Sequence, residues 1–526
     1  MGYNIMLEIY FNIVLLEMWK NCCEDTIITN YALRITHYIQ VDFFTVMQYN
    51  YYKPAHNGIK SGLQTCVLWK WSVIMILKRK MYDKLLTLKK ELNGKKAFLI
   101  EGARRIGKST ICEEFGRNEY KSYILIDFAK CPDDVKDYFV KHMNDLDTFF
   151  MLLSTYYGVK LYERDSLIIF DEVQMYPKAR ECIKYLVADG RYDYIETGSL
   201  ISIKENVKDI VIPSEERHLS MYPLDFEEFC HALGEEQIIG YIRKCFADRV
   251  PLETELHYKA MLLFKQYMLV GGMPQSVIAF LESRKDFDKA DIEKRDILAL
   301  YRSDIMKIDT RYRSKVLTIF DRIPSLLSQH EKRVVFNDVS AGSKADQYEE
   351  TFFWLSDSMI SNECFLCNDP NVGLSINENR AYVKCYLGDT GLLVSHAFDE
   401  NELLEDEVYK QILGDKLNMN EGMLYENVIA QMLTANGHKL YFYTQYNSEK
   451  HRNDIEIDFL ISNNSKLKYK MFPIEVKSGR KYSIESLKRF KEKYKARIGE
   501  CYVIHPRNLS FKDDIICIPP YMTICL

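Results

Sequence analysis

Residues 97–110 read AFLIEGARRIGKST, and their reading decides the fold. The apolar run at 97–100 predicts a short buried strand, followed by a Gly-rich turn and a helix from about Ser109. Gly102, Gly107, Lys108 and Ser109 stand at the offsets of a phosphate-binding loop. Glycines let backbone N–H groups turn inward around phosphates, and the following helix presents its positive end to them. Lys108 reaches the β- and γ-phosphates, and the Ser109 hydroxyl is a magnesium ligand. The expected nucleotide-binding loop therefore comprises Gly102, Ala103, Arg104, Arg105, Ile106, Gly107, Lys108, Ser109 and Thr110, with ATP and Mg2+ as cofactors. Arg105 needs no role beyond an ion pair.

A second strand, SLIIFDE at 166–172, ends on two acids. Asp171 is expected to hold magnesium through water, and Glu172 to orient or deprotonate the attacking water. Two acids also end buried strands without any chemistry, but the intact loop upstream favours the site. A third strand carries YIETGS at 194–199, where Thr197 and Ser199 are candidates for a polar contact to the γ-phosphate. A Thr-Gly-Ser turn also exists without a function. Together with YILIDF at 123–128, these apolar runs alternate with helical segments and predict a parallel sheet covered on both faces.

Outward from this core, 526 residues exceed one hydrophobic core and imply roughly three to four domains. Hydrophobic residues at 47% and charged residues at 28% are a globular balance, and a net charge of −5 excludes a uniformly basic nucleic-acid binder. The 14 cysteines show no framework spacing and read as free thiols in a reducing cytosol. Cys364 and Cys367 lie in the apolar stretch CFLC, which reads as a packed strand and not as a zinc site. The apolar run at 5–19 contains Glu8 and Glu17 and is short for a membrane span; no signal-peptide pattern frames it, so the expected location is cytoplasmic.

Residues 1–74 show no clean period, whereas ILKRKMYDKLLTLKKELNGKK at 76–96 is a lysine-rich helical pattern. The first segment reads either as an N-terminal extension or as a stretch upstream of a natural start at Met75 or Met81. After Leu224 the pattern turns helical to about Ser303, interrupted by VGGMP at 270–274. Two helical stretches and β-type segments follow between about 313 and 397, and helices before a hairpin suit a winged helix. A last unit begins with a helix near Glu421 and continues into strands at LYFYTQ, EIDFLI and FPIEVKS. Phe352, Phe353 and Trp354 are expected to anchor a core.

Several markers fall in one order: LIEGARRIGKST, LIIFDEVQ, ETGSL, MYPLDFEEF at 221–229, YMLVGGMPQSV at 267–277, GDTGLL from Gly388, LYENVIAQML at 424–433, EIDFLI and IEVKSG. In these the chain resembles the bacterial and archaeal ATPases whose AAA-type core is followed by a domain of unknown function, DUF4143. The resemblance covers about residue 75 to the end. It implies an α/β multidomain protein: a P-loop NTPase parallel sheet (75–225), a helical lid (226–305), a winged helix (306–410) and a restriction-endonuclease-like α/β domain (411–526).

EID followed by IEVK also resembles the PD-(D/E)xK nuclease pattern. Asp458 and Glu475 would share a divalent metal, Lys477 lies on the same strand face as Glu475 and would prepare a water, and Glu426 matches an acid beside the metal. An exposed charge pair and a binding module that kept only the fold are the competing readings. Glu421, Asp454 and Glu456 fit the pattern less well. Lys477, Arg480, Lys481, Lys488, Arg489, Lys491 and Lys493 would follow a phosphate backbone, or form a solvated face. The expectation is an ATPase coupling nucleotide state to DNA through its C-terminal domains. Its rivals are a nucleotide-dependent switch for a protein partner and a Mg-dependent nuclease regulated by ATP. No membrane partner is expected, and an oligomer is compatible with the sequence.

Overall fold

Strand β1 (Ala97–Glu101) is buried at every position, as a strand must be when helices cover both faces of its sheet. It belongs to a five-stranded sheet in the order β2-β3-β4-β1-β5, formed with β2 (Ser122–Asp127), β3 (Ser166–Asp171), β4 (Asp193–Gly198) and β5 (Glu216–Ser220). Every pairing in it is parallel. The computed structural model describes residues 76–199, 212–329, 332–334, 348–398, 409, 413–414, 421–449, 451–463, 470–479 and 482–526. The extension at 1–74, Arg480 and Lys481 lie outside the described residues.

Side chains alternate across β1 and so feed two cores. Phe98 and Ile100 join Leu85 of α1 (Lys80–Leu92) and Ile111 and Phe115 of α2 (Lys108–Glu119). Ala97 and Leu99 join the opposite layer, built from α3 (Asp133–Lys141), α4 (Leu146–Tyr157) and α5 (Pro177–Asp189) through Val135, Phe139, Phe149 and Ile183. Parallel strands need a crossover over one face of the sheet, and this brings the ends of β1, β3 and β4 to a single edge. β4, the strand carrying Thr197, separates the loop strand β1 from the acid-bearing β3.

The helical stretch expected after Leu224 is α6 (Phe226–Ala232), α7 (Glu236–Asp248), α8 (Thr254–Val270), α9 (Pro274–Glu282) and α10 (Phe287–Ile305), followed by α11 (Thr310–Ser328). Asp225 and Glu228 cap α6 reciprocally, satisfying two N–H groups that the helix leaves open. α8 stops at Gly271, whose φ of 82° is unfavourable for other residues, and Pro274 opens α9.

Next come α12 (Glu349–Asp357), β6 (Ser361–Cys367), β7 (Glu378–Leu387), α13 (Thr390–Ala397) and α14 (Glu421–Ala435), then β8 (Leu440–Asn447), β9 (Arg452–Asn463) and β10 (Lys470–Val476). The chain closes with α15 (Glu485–Lys493), β11 (Tyr502–Ile504), β12 (Ser510–Lys512) and β13 (Ile515–Ile518). These strands form one eight-stranded sheet, β12-β13-β11-β10-β9-β8-β6-β7. Its junction is the parallel β6–β8 pair, from Cys364 opposite Leu440 to Leu366 opposite Phe442. The hairpin that the sequence groups with the preceding helices is thus hydrogen-bonded to the C-terminal strands. Leu487 and Phe490 of α15 pack with Tyr443, Ile455 and Ile457.

Cys364 and Cys367 are buried free thiols on β6, packed as expected. Phe352 and Trp354 are buried, but Phe353 is 55% exposed. Successive helix residues are turned by about 100°, so one of three adjacent aromatics on α12 points away from the core.

Candidate functional site

The loop after β1 is shaped by close backbone approach. A side chain at Gly102 would meet the Met221 carbonyl at 2.4 Å. Arg105 (φ 68°) and Gly107 (φ 89°) make left-handed bends, and α2 then begins at Lys108, so its free N–H groups face the loop. Arg105 and Thr110 are exposed, whereas Ala103, Ile106 and Lys108 are buried. The Lys108 ammonium donates to the carbonyls of Gly102 and Ala103, at 2.9 Å each. Burial lowers its pKa to about 8, against the opposing pull of Glu172 and Asp171.

The strand ends converge on this lysine. The Ser109 hydroxyl donates to Asp171 Oδ1 at 2.8 Å, and the Thr197 hydroxyl donates to the same oxygen. The Glu172 N–H donates to Thr197 Oγ1 at 3.3 Å, and the Gln174 amide donates to Glu172 Oε2. Glu172 itself is left-handed, with φ 52°, and this turn carries its carboxylate out of the β3 direction. Ser199 lines the adjoining cavity of about 700 Å³, with Arg104, Asp171 and Glu172. Its far wall is Tyr301 and Asp304 of α10 together with Trp354, Ser358 and Ile360 beside the second sheet.

Three residues around the loop escaped the sequence reading. Asp304 receives two hydrogen bonds from Arg104, at 2.7 and 2.8 Å, and the Tyr301 hydroxyl donates to the Arg104 carbonyl at 3.2 Å. Arg79, just before α1, donates to the carbonyls of Ile106 and Tyr222 at 2.8 and 2.6 Å and pairs with Glu228 at 3.2 Å. Arg79 had a local signal, a basic residue opening a helix ahead of the loop. Asp304 had none, being 200 residues from Arg104.

In the second sheet, Glu426, Asp458, Glu475 and Lys477 are drawn together, with all three carboxylates buried. Two further lysines stand among them. Lys384 of β7, only 2% exposed, lies 4.0 Å from Glu426 Oε2 and 3.8 Å from Asp458 Oδ1. Lys332 donates to Glu426 Oε1, the Tyr386 hydroxyl donates to Oε2 at 3.1 Å, and the Val476 N–H donates to Asp458 Oδ2 at 2.8 Å. Lys477 pairs with Glu475 at 3.2 Å. Burial raises the Glu475 pKa to about 7, and burial followed by the Asp458 charge raises that of Glu426. Burial works against the Lys384 charge, but Glu426 and Asp458 prevail and its pKa is raised. Among the described residues no three His, Cys, Asp or Glu side chains are grouped so as to hold a metal ion.

The basic face of α15 is partly neutralised. Lys488 pairs with Asp513 at 2.9 Å, Lys491 with Asp514, and Arg489 with Asp454 at 3.5 Å. Lys493 donates to Tyr443 and Gln445 at 2.8 Å each.

Comparison with known families divides the chain in three. Residues 94–230 match the family described as an AAA domain, 261–402 match a domain of unknown function, DUF8612, and 421–522 match DUF4143. The chain thus carries a nucleotide-binding, AAA-type P-loop ATPase module followed by a DUF4143 domain. No curated protein matches it. Among solved structures it is similar to C. elegans PCH-2, at 13% identity over 38% of this chain and 58% of that one, with a TM-score of 0.19. It is also similar to a STAND ATPase with a tetratricopeptide repeat sensor from Pyrococcus horikoshii, at 13% identity, 68% and 48% coverage and a TM-score of 0.24. A third is the RuvB Holliday junction branch migration motor of Thermotoga maritima, at 13% identity, 59% and 92% coverage and a TM-score of 0.25. The chain spans about half the length of the first two. No helix among the described residues is long and apolar enough to cross a membrane.

Proposed function

We propose that this protein is an ATP hydrolase whose nucleotide state is felt by its C-terminal domain. The observation that carries the reading is the shared cavity: Arg104, Asp171, Glu172 and Ser199 line it at one edge of the parallel sheet, with Ser109 and Thr197 bonded to Asp171 behind them, and the opposite wall comes from α10 and the region of Trp354. In this reading Gly102 to Thr110 wrap the phosphates, and Lys108 exchanges two carbonyl partners for phosphate oxygens. The hydroxyl of Ser109 and the carboxylate of Asp171, 2.8 Å apart, are the oxygen donors that suit Mg2+, which would neutralise phosphate charge there. Glu172 orients the attacking water, with Gln174 fixing its carboxylate. Thr197 holds Asp171, and Ser199 is the residue that reaches toward the γ-phosphate.

The output is a binding domain, repositioned rather than cutting. DNA is the ligand that would follow the basic side chains of α15. A protein partner is the second reading, favoured by the engagement of Lys488 and Lys491 with Asp513 and Asp514. The deciding experiment is phosphate release from ATP by the full chain, with and without DNA, over a range of salt. Wild-type turnover should fall ~100-fold in Glu172→Gln while nucleotide affinity stays; equal turnover would overturn the role of Glu172, and no phosphate release by the wild type would overturn the ATPase assignment. Stimulation by DNA that fades with salt supports the DNA-coupled reading, and its absence supports the protein partner.

A further inference from the structure

We infer that Lys384 takes the place of a metal ion in the C-terminal sheet, so that the Glu426–Asp458–Glu475 cluster is a charge-balanced structural centre that does not load a divalent cation. This deepens the reading of the C-terminal domain as a binding unit and leaves the ATPase assignment independent of it.

Three observations converge. First, the lysine comes from β7, across the β6–β8 junction from the strands that carry Asp458 and Glu475, and its ammonium lies within 4.0 Å of two carboxylates. Second, the oxygens of Glu426 and Asp458 that a metal would need already face donors or ammoniums, and Glu475, whose oxygens are buried without a hydrogen-bond partner, faces the Lys477 ammonium at 3.2 Å. Glu426 is held by Lys332 and Tyr386, and Asp458 by Val476 N–H and Lys384. Third, three ammoniums, of Lys332, Lys384 and Lys477, face three carboxylates, so the ionised cluster is already neutral. Adding a divalent ion would leave two uncompensated positive charges in a buried site, beside an ammonium with which it shares both carboxylate partners. Magnesium demands near-ideal octahedral oxygen geometry at about 2.0–2.1 Å, and like charges a few ångströms apart inside a protein repel by several kcal/mol or more. The lysine supplies the counter-charge without asking for that geometry.

The same contacts give Lys384 a structural task. It joins β7, which lies in the DUF8612 match, to α14 and β9 of the DUF4143 match. Removing a buried ion-pair partner leaves an uncompensated charge, which is far more damaging than removing the pair. Neutralising Asp458 as well should therefore restore stability that the single change loses.

The test uses the full chain without nucleotide, in an Asp171→Asn background that silences magnesium at the ATPase site. Free Mn2+ is followed by electron paramagnetic resonance up to ~1 mM, the weak end of biological carboxylate sites. The expected result is the same uptake with Asp458 intact and with Asp458→Asn. A bound Mn2+ that disappears in Asp458→Asn overturns the inference, while ATP turnover in the wild type would be untouched by that outcome. The second measurement is thermal unfolding. Lys384→Met should lower the Tm by ~5 °C or more, and Lys384→Met with Asp458→Asn should recover part of that loss. A Lys384→Met protein as stable as the wild type, or one that Mg2+ stabilises through Asp458, would equally refute it.

Discussion

The Asp389 carboxylate accepts the backbone N–H of Gly272 at 2.6 Å and so ties the turn between β7 and α13 to the loop between α8 and α9. The same carboxylate caps α13 through the Leu392 N–H at 3.0 Å and takes the Gln431 amide of α14 at 3.2 Å. Gln431 in turn donates to the Tyr267 hydroxyl at 3.0 Å, Tyr267 to the Leu224 carbonyl at 2.9 Å, and the Leu224 N–H to the Gly272 carbonyl at 2.7 Å. Four widely separated sequence markers therefore meet in one buried junction. Their chemistry is satisfaction of backbone and amide groups, with no nucleophile or open ligand position among them.

Asp389→Ala should consequently destabilise the protein while leaving the nucleotide loop chemically intact. It strands three buried donors, and each unmet buried polar group costs roughly 1–3 kcal/mol. Gly271→Ala should be at least as damaging, because its φ is +82° and an added Cβ would stand 2.2 Å from Asp389 Oδ1. Differential scanning calorimetry should show a lowered first transition for both variants. An unchanged transition would mean that the junction relaxes at little cost.

Nucleotide binding should weaken as the medium becomes alkaline. In the nucleotide-free protein burial holds the Lys108 pKa at about 8, so the ammonium is lost as pH rises through 8. Phosphates bind the charged form, and binding must then draw a proton from solvent. Affinity for ADP or ATP should be flat at pH 6–7 and fall up to ~10-fold for each pH unit well above 8. Titration with a fluorescent nucleotide at a series of pH values checks it. Lys108→Ala should bind weakly at all of them, without that slope.

The nucleotide loop was legible because its signal is local: Gly102, Gly107, Lys108 and Ser109 are fixed by spacing, and the strand before and helix after follow from periodicity. The β3 acids were legible for the same reason. Lys384 was hidden because β7 reads as an ordinary packed strand, and nothing in its period says that its neighbour across space is Asp458. Nothing beyond its place in the loop marked Arg104 as a link to α10, since its partner Asp304 sits on a distant helix. The joining of β6 and β7 to the C-terminal strands was equally hidden, because strand pairing between remote segments leaves no mark on either segment's pattern.

Stability at the β5 edge should depend on pH through His218. Its imidazole lies 3.2 Å from Glu101 and 3.4 Å from Glu216, and hydrogen bonds to those two acids raise its pKa to about 9, against burial. A raised pKa contributes stability that is complete below the unfolded value near 6.5 and is lost as pH climbs through 9. His218→Ala should therefore lower the Tm more at pH 6 than at pH 9.5. The side chain is half exposed, so solvent screening keeps the effect modest. Equal losses at both pH values would assign His218 a packing role only.

The pair Arg104–Asp304 gives the nucleotide a route to α10. Arg104 lines the cavity from the loop, and its guanidinium is held by both oxygens of Asp304. Lys307 also pairs with Asp304, at 2.9 Å. An incoming triphosphate brings charge that competes with Asp304 for the guanidinium, and the carboxylate itself repels the phosphates. Asp304→Ala removes both effects, so ATP affinity should rise ~3–10-fold, more than ADP affinity, because the γ-phosphate adds the most charge nearest the cavity. The gain should come with a loss of communication. In the wild type, ATP should change amide hydrogen exchange along 287–305, since α10 loses or keeps its hold on the loop according to occupancy. In Asp304→Ala that response should shrink, although the nucleotide binds more tightly. Tighter binding with an undiminished exchange response would show that another contact, such as Tyr301 to the Arg104 carbonyl, carries the signal.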